Sequence, residues 1–216
     1  MIAIVTPSRT GELRQRWRDA VSATMGRHEY EIYSCRDMPT LDARNFTTTR
    51  AYNEKAELFW FLDDDVIPPI NAFDDLCSAN VPIISGMVTN KSPRAKARVA
   101  RIDGSGMYRF DDYPWQWPGE PFEVDSAGMG CLLVRRDVLD MIEPDRWFNW
   151  NYPRRLPDGR VMMQSRGEDL HFCVEANRAG FDVYAHPNVR CQHIDWSTGH
   201  SFPDERYWAD HRRKTS

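Results

Sequence analysis

The sequence predicts an α/β fold built on an open sheet with helices on its faces. Three observations predict it. Short apolar runs alternate with helix-spaced segments over the first 90 residues, as in a series of βα units. The run "LFWFL" at 58–62 lacks polar alternation, as expected of a strand covered on both faces. The segment "GEDLHFCVEANRAG" reads as a helix and leads straight into another apolar run, "FDVYAH".

Each element follows from local pattern. "IAIV" (2–5) is a strand, and "TPSRTG" turns the chain. Leu13, Trp17, Ala20 and Val21 recur at helical spacing and predict a helix over 11–25. "YEIYS" (30–34) is a second strand, and 42–55 is a second helix with Asp42 as its cap. "LFWFL" is a third strand, "NAFDDLC" (71–77) a short helix behind Pro68 and Pro69, and "VPIISGMV" (81–88) a fourth strand. Residues 91–124 carry Pro, Gly, basic residues and "DDYPWQWPGEPF", which predicts a hairpin or loop region. "CLLVRR" (131–136) is a strand followed by a short helix at 137–142, and 144–166 is irregular. In the next helix Leu170, Cys173, Val174 and Asn177 share a face, and Gly180 stops it. "FDVYAH" and "VRCQHID" are the last strands. The expected organisation is a single domain over 1–201 with a polar tail at 202–216.

Composition narrows the function. The chain has 216 residues, enough for one domain with a sizeable core. Its net charge is −4 with no long basic run, which argues against a partner bound through duplex phosphates. Neither a leader-like start nor an apolar run long enough to span a bilayer is visible. Cys35, Cys77, Cys131, Cys173 and Cys191 are odd in number and lack CxxC spacing, as expected of reduced thiols. The expected location is the cytoplasm of a bacterial or virus-infected cell. His186, Cys191 and His193 lack a fourth partner at zinc spacing.

The chemistry concentrates in "FLDDDVIPP". Three adjacent carboxylates repel one another, yet here they end the most apolar strand. Ligands of open α/β sheets bind at that end. An extended backbone turns Asp63 and Asp65 to one side and Asp64 to the other. Two converging carboxylates suit Mn²⁺ or Mg²⁺. The plain alternative is a solvated loop that caps the next helix. Two enzyme classes carry this local pattern. In dehalogenase-like phosphatases Asp63 is the nucleophile and Asp65 the acid–base, whereas in GT-A glycosyltransferases the DxD holds a metal.

Downstream residues separate the two. No later GDxxxD-type acidic motif of the phosphatases is present. "TPS", "DARN" (42–45), "FLDDDVIPP", "PIISGMV", "VDSAGMGCLLVRRDVL" (124–139), "GED" and a late histidine occur in that order. Over about residues 1–195 this set resembles the family-2-like GT-A glycosyltransferases, including short phage and bacterial members. The resemblance implies a Rossmann-like GT-A fold, the nucleotide-diphospho-sugar transferase mixed sheet flanked by helices. It implies an enzyme that moves a sugar from a nucleotide-diphosphate donor to a hydroxyl acceptor, with inversion. Asp63, Asp65 and His193 would hold Mn²⁺ or Mg²⁺. Asp169 would be the general base, with Glu168 on the acceptor or bracing the loop. Thr6, Pro7, Ser8, Arg9, Arg44 and Asp64 would meet the donor, and Asp125 and Gly128 the acceptor and sugar. The faces of Trp115 and Trp117 suit a sugar ring. A departure stands at the turn after Pro7, which lacks an aromatic residue common in relatives and leaves the base open. A non-catalytic sugar- or nucleotide-binding module is the remaining alternative.

Overall fold

The computed structural model describes residues 1–8, 11–92, 95–102, 108–110, 118–155, 161–165 and 167–203. The first half contains β1 (Ile2–Pro7), α1 (Gln15–Met25), β2 (Tyr30–Cys35), α2 (Thr40–Asn53) and β3 (Leu58–Leu62). It continues with β4 (Val66–Ile67), α3 (Ala72–Ser78), β5 (Ile83–Met87), β6 (Val99–Ile102) and β7 (Tyr108–Phe110). Then come β8 (Phe122–Val124), β9 (Ser126–Ala127), β10 (Cys131–Arg135) and α4 (Arg136–Asp140). The chain closes with β11 (Asn151–Arg155), β12 (Val161–Ser165), α5 (Glu168–Arg178), β13 (Val183–Arg190), β14 (Gln192–Asp195) and β15 (His200–Phe202).

Seven strands form the main sheet in the order β2-β1-β3-β10-β5-β13-β8. β1 runs parallel to β2 and β3, and β5 runs parallel to β13. β10 enters between β3 and β5 antiparallel to both, which makes the sheet mixed. The period-2 geometry of a strand sends alternate side chains to opposite faces. Phe59 and Phe61 of β3 therefore join one core with Phe172, Cys173 and Ala176 of α5. Trp60 and Leu62 join the other with Trp17 and Val21 of α1 and Phe73 of α3. Both faces of "LFWFL" are covered, as its unbroken apolarity predicts.

Several boundaries differ from expectation for local reasons. α1 begins at Gln15 rather than at residue 11. α2 starts behind Pro39, so Asp42 lies within its first turn and is not the cap. There its charge complements the helix dipole. The buried side of α5 is His171, Phe172, Cys173, Glu175 and Ala176, rotated from the face set by Leu170, Val174 and Asn177. Gly180, at φ +91°, takes up the left-handed turn that ends this helix. The stretch expected to be irregular holds an antiparallel pair, β11 with β12. β13 runs through His186 to Arg190 with a register shift, where a strand end was expected after "AHP". β15 pairs with β14, so the boundary drawn at 202 falls inside a strand. The rest of that tail, from residue 204, lies outside the described residues.

Gly86 lies in β5, where the neighbouring strands leave no room for a side chain. A Cβ there would meet Val189 Cγ1 at 2.8 Å and Cys131 Sγ at 2.9 Å. Gly86→Ala should cost about 1–3 kcal/mol, because a packed interior resists one added methyl. Urea denaturation measures this, and an unchanged midpoint would show that the seam yields freely.

Candidate active site

The triple aspartate is a turn, not an extended segment. The Val66 N–H donates to the Asp63 carbonyl at 3.0 Å and closes a four-residue turn. Each main-chain carbonyl of the three aspartates has a donor. Trp17 Nε1 donates to the Asp63 carbonyl at 2.9 Å, and Trp196 Nε1 to that of Asp64 at 3.1 Å. The Ile194 N–H donates to the Asp65 carbonyl at 2.7 Å. The Asp63 N–H donates to Gly130 O at 3.2 Å. With the backbone fixed on all sides, the carboxylates have fixed directions. Asp63 and Asp65 share a cavity, as expected, although the reason is a turn and not strand alternation.

Two adjoining cavities meet at this turn. The first, of 380 Å³, lies at the carboxyl end of β1 and is lined by Pro7, Ser8, Arg14, Met38, Asp64 and Trp196, among others. The Arg14 guanidinium stands 5.6 Å from the centre of the Trp196 ring. The Ser8 hydroxyl is buried beside the Asp64 carboxyl. Burial raises the Asp64 carboxyl above its ordinary range, and the charges of Asp65 and Asp63 add to that against the opposing Ser8 hydroxyl and Lys91 ammonium. At the rim, hydrogen bonds from Ser197 hold the Asp195 carboxyl down to about 2, so it stays ionised.

The second cavity, of 430 Å³, brings the Asp63 and Asp65 side chains to Glu168, Asp169 and His193. Arg44 of α2 is 3% exposed at its side chain and bridges two of these groups. Its Nη2 lies 3.2 Å from Asp63 Oδ1 and 3.5 Å from Glu168 Oε1. Its Nε and Nη1 have no hydrogen-bond partner. Arg98 Nη2 lies 3.6 Å from Asp169 Oδ2. Lys91 Nζ lies 2.5 Å from Asp65 Oδ2. Thus every carboxylate in this cavity has a basic neighbour.

Glycines bring the backbone close to these carboxylates. A Cβ on Gly130 would lie 3.5 Å from Asp63 Oδ2, and one on Gly167 only 2.5 Å from Asp169 Oδ1. Gly128 faces Arg98 and Asp169 in the same way, at 3.0 Å from Arg98 Cβ and 3.7 Å from Asp169 Oδ2.

The donor set suits a divalent ion in part. His193 Nδ1 lies 2.6 Å from the Thr89 carbonyl, which can only accept, so Nδ1 carries the proton. In the neutral ring Nε2 is then an acceptor, 3.3 Å from Asp65 Oδ1. Two acceptors facing each other need a proton or a cation between them. A backbone carbonyl that fixes the imidazole tautomer is the usual support of a metal-binding histidine. Burial raises the Asp65 carboxyl, but His193 and Lys91 outweigh it, and it lies below its ordinary value. Among the described residues, no three His, Cys, Asp or Glu side chains yet converge at ligand distances.

Not every expected residue gathers here. Thr6 is fully buried with its hydroxyl unpartnered, and it lines neither cavity. The Asp125 carboxylate accepts the Ile102 N–H at 2.7 Å and also lines neither. Its bond serves the β6 backbone. Arg9, Trp115 and Trp117 lie outside the described residues. Sequence reasoning missed Lys91, Arg98 and Trp196. Lys91 stands just past β5 at the ligand-binding edge of the sheet, and Trp196 three positions after His193, signals that position alone offered.

Solved structures share this fold. A197 from STIV matches over 90% of this chain and 85% of its own, with a TM-score of 0.60 and 21% identity. GalNAc-T7, crystallised with UDP, GalNAc and Mn²⁺, matches over 90% of this chain with a TM-score of 0.53 and 10% identity. This chain spans 44% of that one. The catalytic domain of Drosophila beta1,4galactosyltransferase 7, in complex with xylobiose, matches over 92% of this chain and 72% of its own, with a TM-score of 0.50 and 15% identity. The fold is therefore GT-A-like, a mixed sheet flanked by helices. No protein-family model and no curated protein sequence matches the chain. Among the described residues no helix is long and apolar enough to cross a membrane.

Arg44 should be the side chain on which the second cavity depends. Arg44→Met leaves Asp63 and Glu168 without their shared cation and should lower stability by about 2 kcal/mol, the buried-pair cost discounted for the partly open Asp63. Arg44→Lys should recover little of it, since a single ammonium does not replace the planar fork. Denaturant midpoints of the three proteins would decide, and equal midpoints would show that both carboxylates are satisfied by water.

Proposed function

We propose that the chain is a glycosyltransferase that moves a sugar from a nucleotide-diphosphate donor to a hydroxyl acceptor, with inversion. One observation carries this reading. The aspartate turn on a GT-A-like sheet divides its side chains between two adjoining cavities, Asp64 in one and Asp63 and Asp65 in both, with Glu168, Asp169 and His193 across the second.

The first cavity suits the nucleoside. Trp196 offers an aromatic edge or face, and the buried Ser8 hydroxyl and the Asp64 carboxylate offer polar partners for a ribose. The junction at Asp63 and Asp65 suits the diphosphate. Asp63, Asp65 and His193 would hold Mn²⁺ or Mg²⁺ there. Such an ion stabilises the charge that develops on a leaving diphosphate. The GalNAc-T7 structure contains UDP, GalNAc and Mn²⁺.

Glu168 and Asp169 open α5 and diverge by about 100°, the turn between adjacent helical residues. Glu168 turns to Arg44. That contact commits it to bracing α5 against α2 and the aspartate turn. Asp169 faces the cavity with its side chain 22% exposed. On this reading it would take the acceptor's proton as that oxygen attacks the anomeric carbon. Arg98 Nη2 stands 3.6 Å from its Oδ2. The mixed sheet, with β10 antiparallel between β3 and β5, favours this reading over the dehalogenase-like alternative.

The test is nucleotide release and sugar transfer from a panel of UDP-, GDP-, dTDP- and ADP-linked sugars with Mn²⁺. One donor class should turn over. Asp169→Asn should lower turnover by on the order of 10²–10⁴ while leaving nucleotide affinity nearly unchanged. Near-normal turnover in that variant would remove Asp169 as the base. Tight nucleotide binding with no turnover of any donor would point instead to a binding module.

A further inference from the structure

Lys91 occupies the place where the two cavities meet. It lines both, together with Thr40, Asp63 and Asp65, and it is the cation of that shared group. Its ammonium sits 2.5 Å from Asp65 Oδ2, and Asp65 Oδ1 faces His193 Nε2 at 3.3 Å. One expected metal ligand is thus already neutralised by a side chain of the protein itself. Arg44 is similarly engaged with Asp63, but it is 3% exposed and wedged between two carboxylates. Lys91 differs. Its side chain is 33% exposed, on the stretch that follows β5, and a lysine stem is long and flexible.

We propose that Lys91 exchanges partners on ligand binding: its ammonium holds Asp65 in the free protein and moves to the donor's diphosphate when a divalent cation takes Asp65. The inference rests on the nucleotide-sugar reading above. A divalent ion on Asp65 repels an ammonium at contact distance and makes it leave. A diphosphate at the junction of the cavities offers that ammonium new negative oxygens within reach of the same stem. The cation alone must displace Lys91 with nothing to receive it. The diphosphate alone finds Lys91 occupied. Together each removes the other's cost, so the two ligands bind cooperatively. By linkage the coupling is reciprocal. Lys91 is on this view a positioning residue for the leaving group and a gate on metal affinity.

Calorimetric titration of the full chain with MnCl₂, in the presence and absence of UDP or GDP, separates the possibilities. Wild type should bind Mn²⁺ weakly alone and more tightly with the nucleotide. Lys91→Met should bind Mn²⁺ alone about fivefold tighter or more, and the nucleotide's enhancement should shrink by a similar factor. Lys91→Arg keeps the charge and should stay with wild type on both measures. Equal Mn²⁺ affinity in wild type and Lys91→Met, undiminished coupling, or nucleotide binding with no Mn²⁺ binding would each overturn the exchange and leave the nucleotide-sugar reading standing. Folded wild type that binds neither Mn²⁺ nor any nucleotide would overturn that reading, and the exchange with it.

Discussion

The site is organised around one buried guanidinium. Arg44 lies between Asp63, at the end of β3, and Glu168, at the start of α5. A buried charge is tolerated only when it is paired. The pairing therefore holds three elements in one arrangement: α2, the aspartate turn and the first turn of α5. Remove the guanidinium and two carboxylates in the same cavity face each other uncompensated. Asp169 inherits its place from this contact, because the helix that carries it is docked by its neighbour. Gly128, Gly130 and Gly167 complete the fit by letting main chain pass where a Cβ would crowd Arg98 or an acidic side chain.

The repulsion among three adjacent aspartates is managed by two means. Their carbonyls are held by two indoles and a strand N–H, so the turn keeps its shape whatever the side chains prefer. Their carboxylates are met by Arg44 and Lys91. The compensation is incomplete at Asp64, whose carboxyl sits above its ordinary value through burial and the charges beside it. Residual cost of this kind collects where a ligand is meant to bind. A donor with its cation would bring to the turn the charges and hydrogen-bond partners that the free protein supplies only in part.

The two cavities also divide the work by chemistry. One carries an aromatic ring, a buried hydroxyl and a buried carboxylate. The other carries paired acids and bases with an imidazole of fixed tautomer. On the proposed reading, a donor that spans both would have its base in the first and its sugar in the second. Lys91 and the aspartate turn stand at the crossing.

By itself, the sequence determined those parts of the protein that depend on neighbours in the chain. The unbroken apolarity of "LFWFL" marked β3 as a strand covered on both faces. Helical spacing and Gly180 marked α5 and its end. The order of the acidic motifs indicated a GT-A-like sheet and named Asp63, Asp65, Glu168, Asp169 and His193, which meet in one cavity. What tertiary structure decided depends on partners far apart in sequence. The antiparallel entry of β10 into the sheet depends on strands on either side of it. The pairing of β11 with β12 lies in a stretch, 144–166, whose Pro, Arg and Trp content reads as irregular. The turn at Asp63 rather than an extended strand depends on hydrogen bonds from Trp17 and Trp196. The same holds for the removal of Asp125 to the β6 backbone and the arrival of Lys91 on Asp65. Hydrophobic period and capping chemistry act over a few residues, whereas a charge or an indole selects its partner only after the sheet has brought distant segments together.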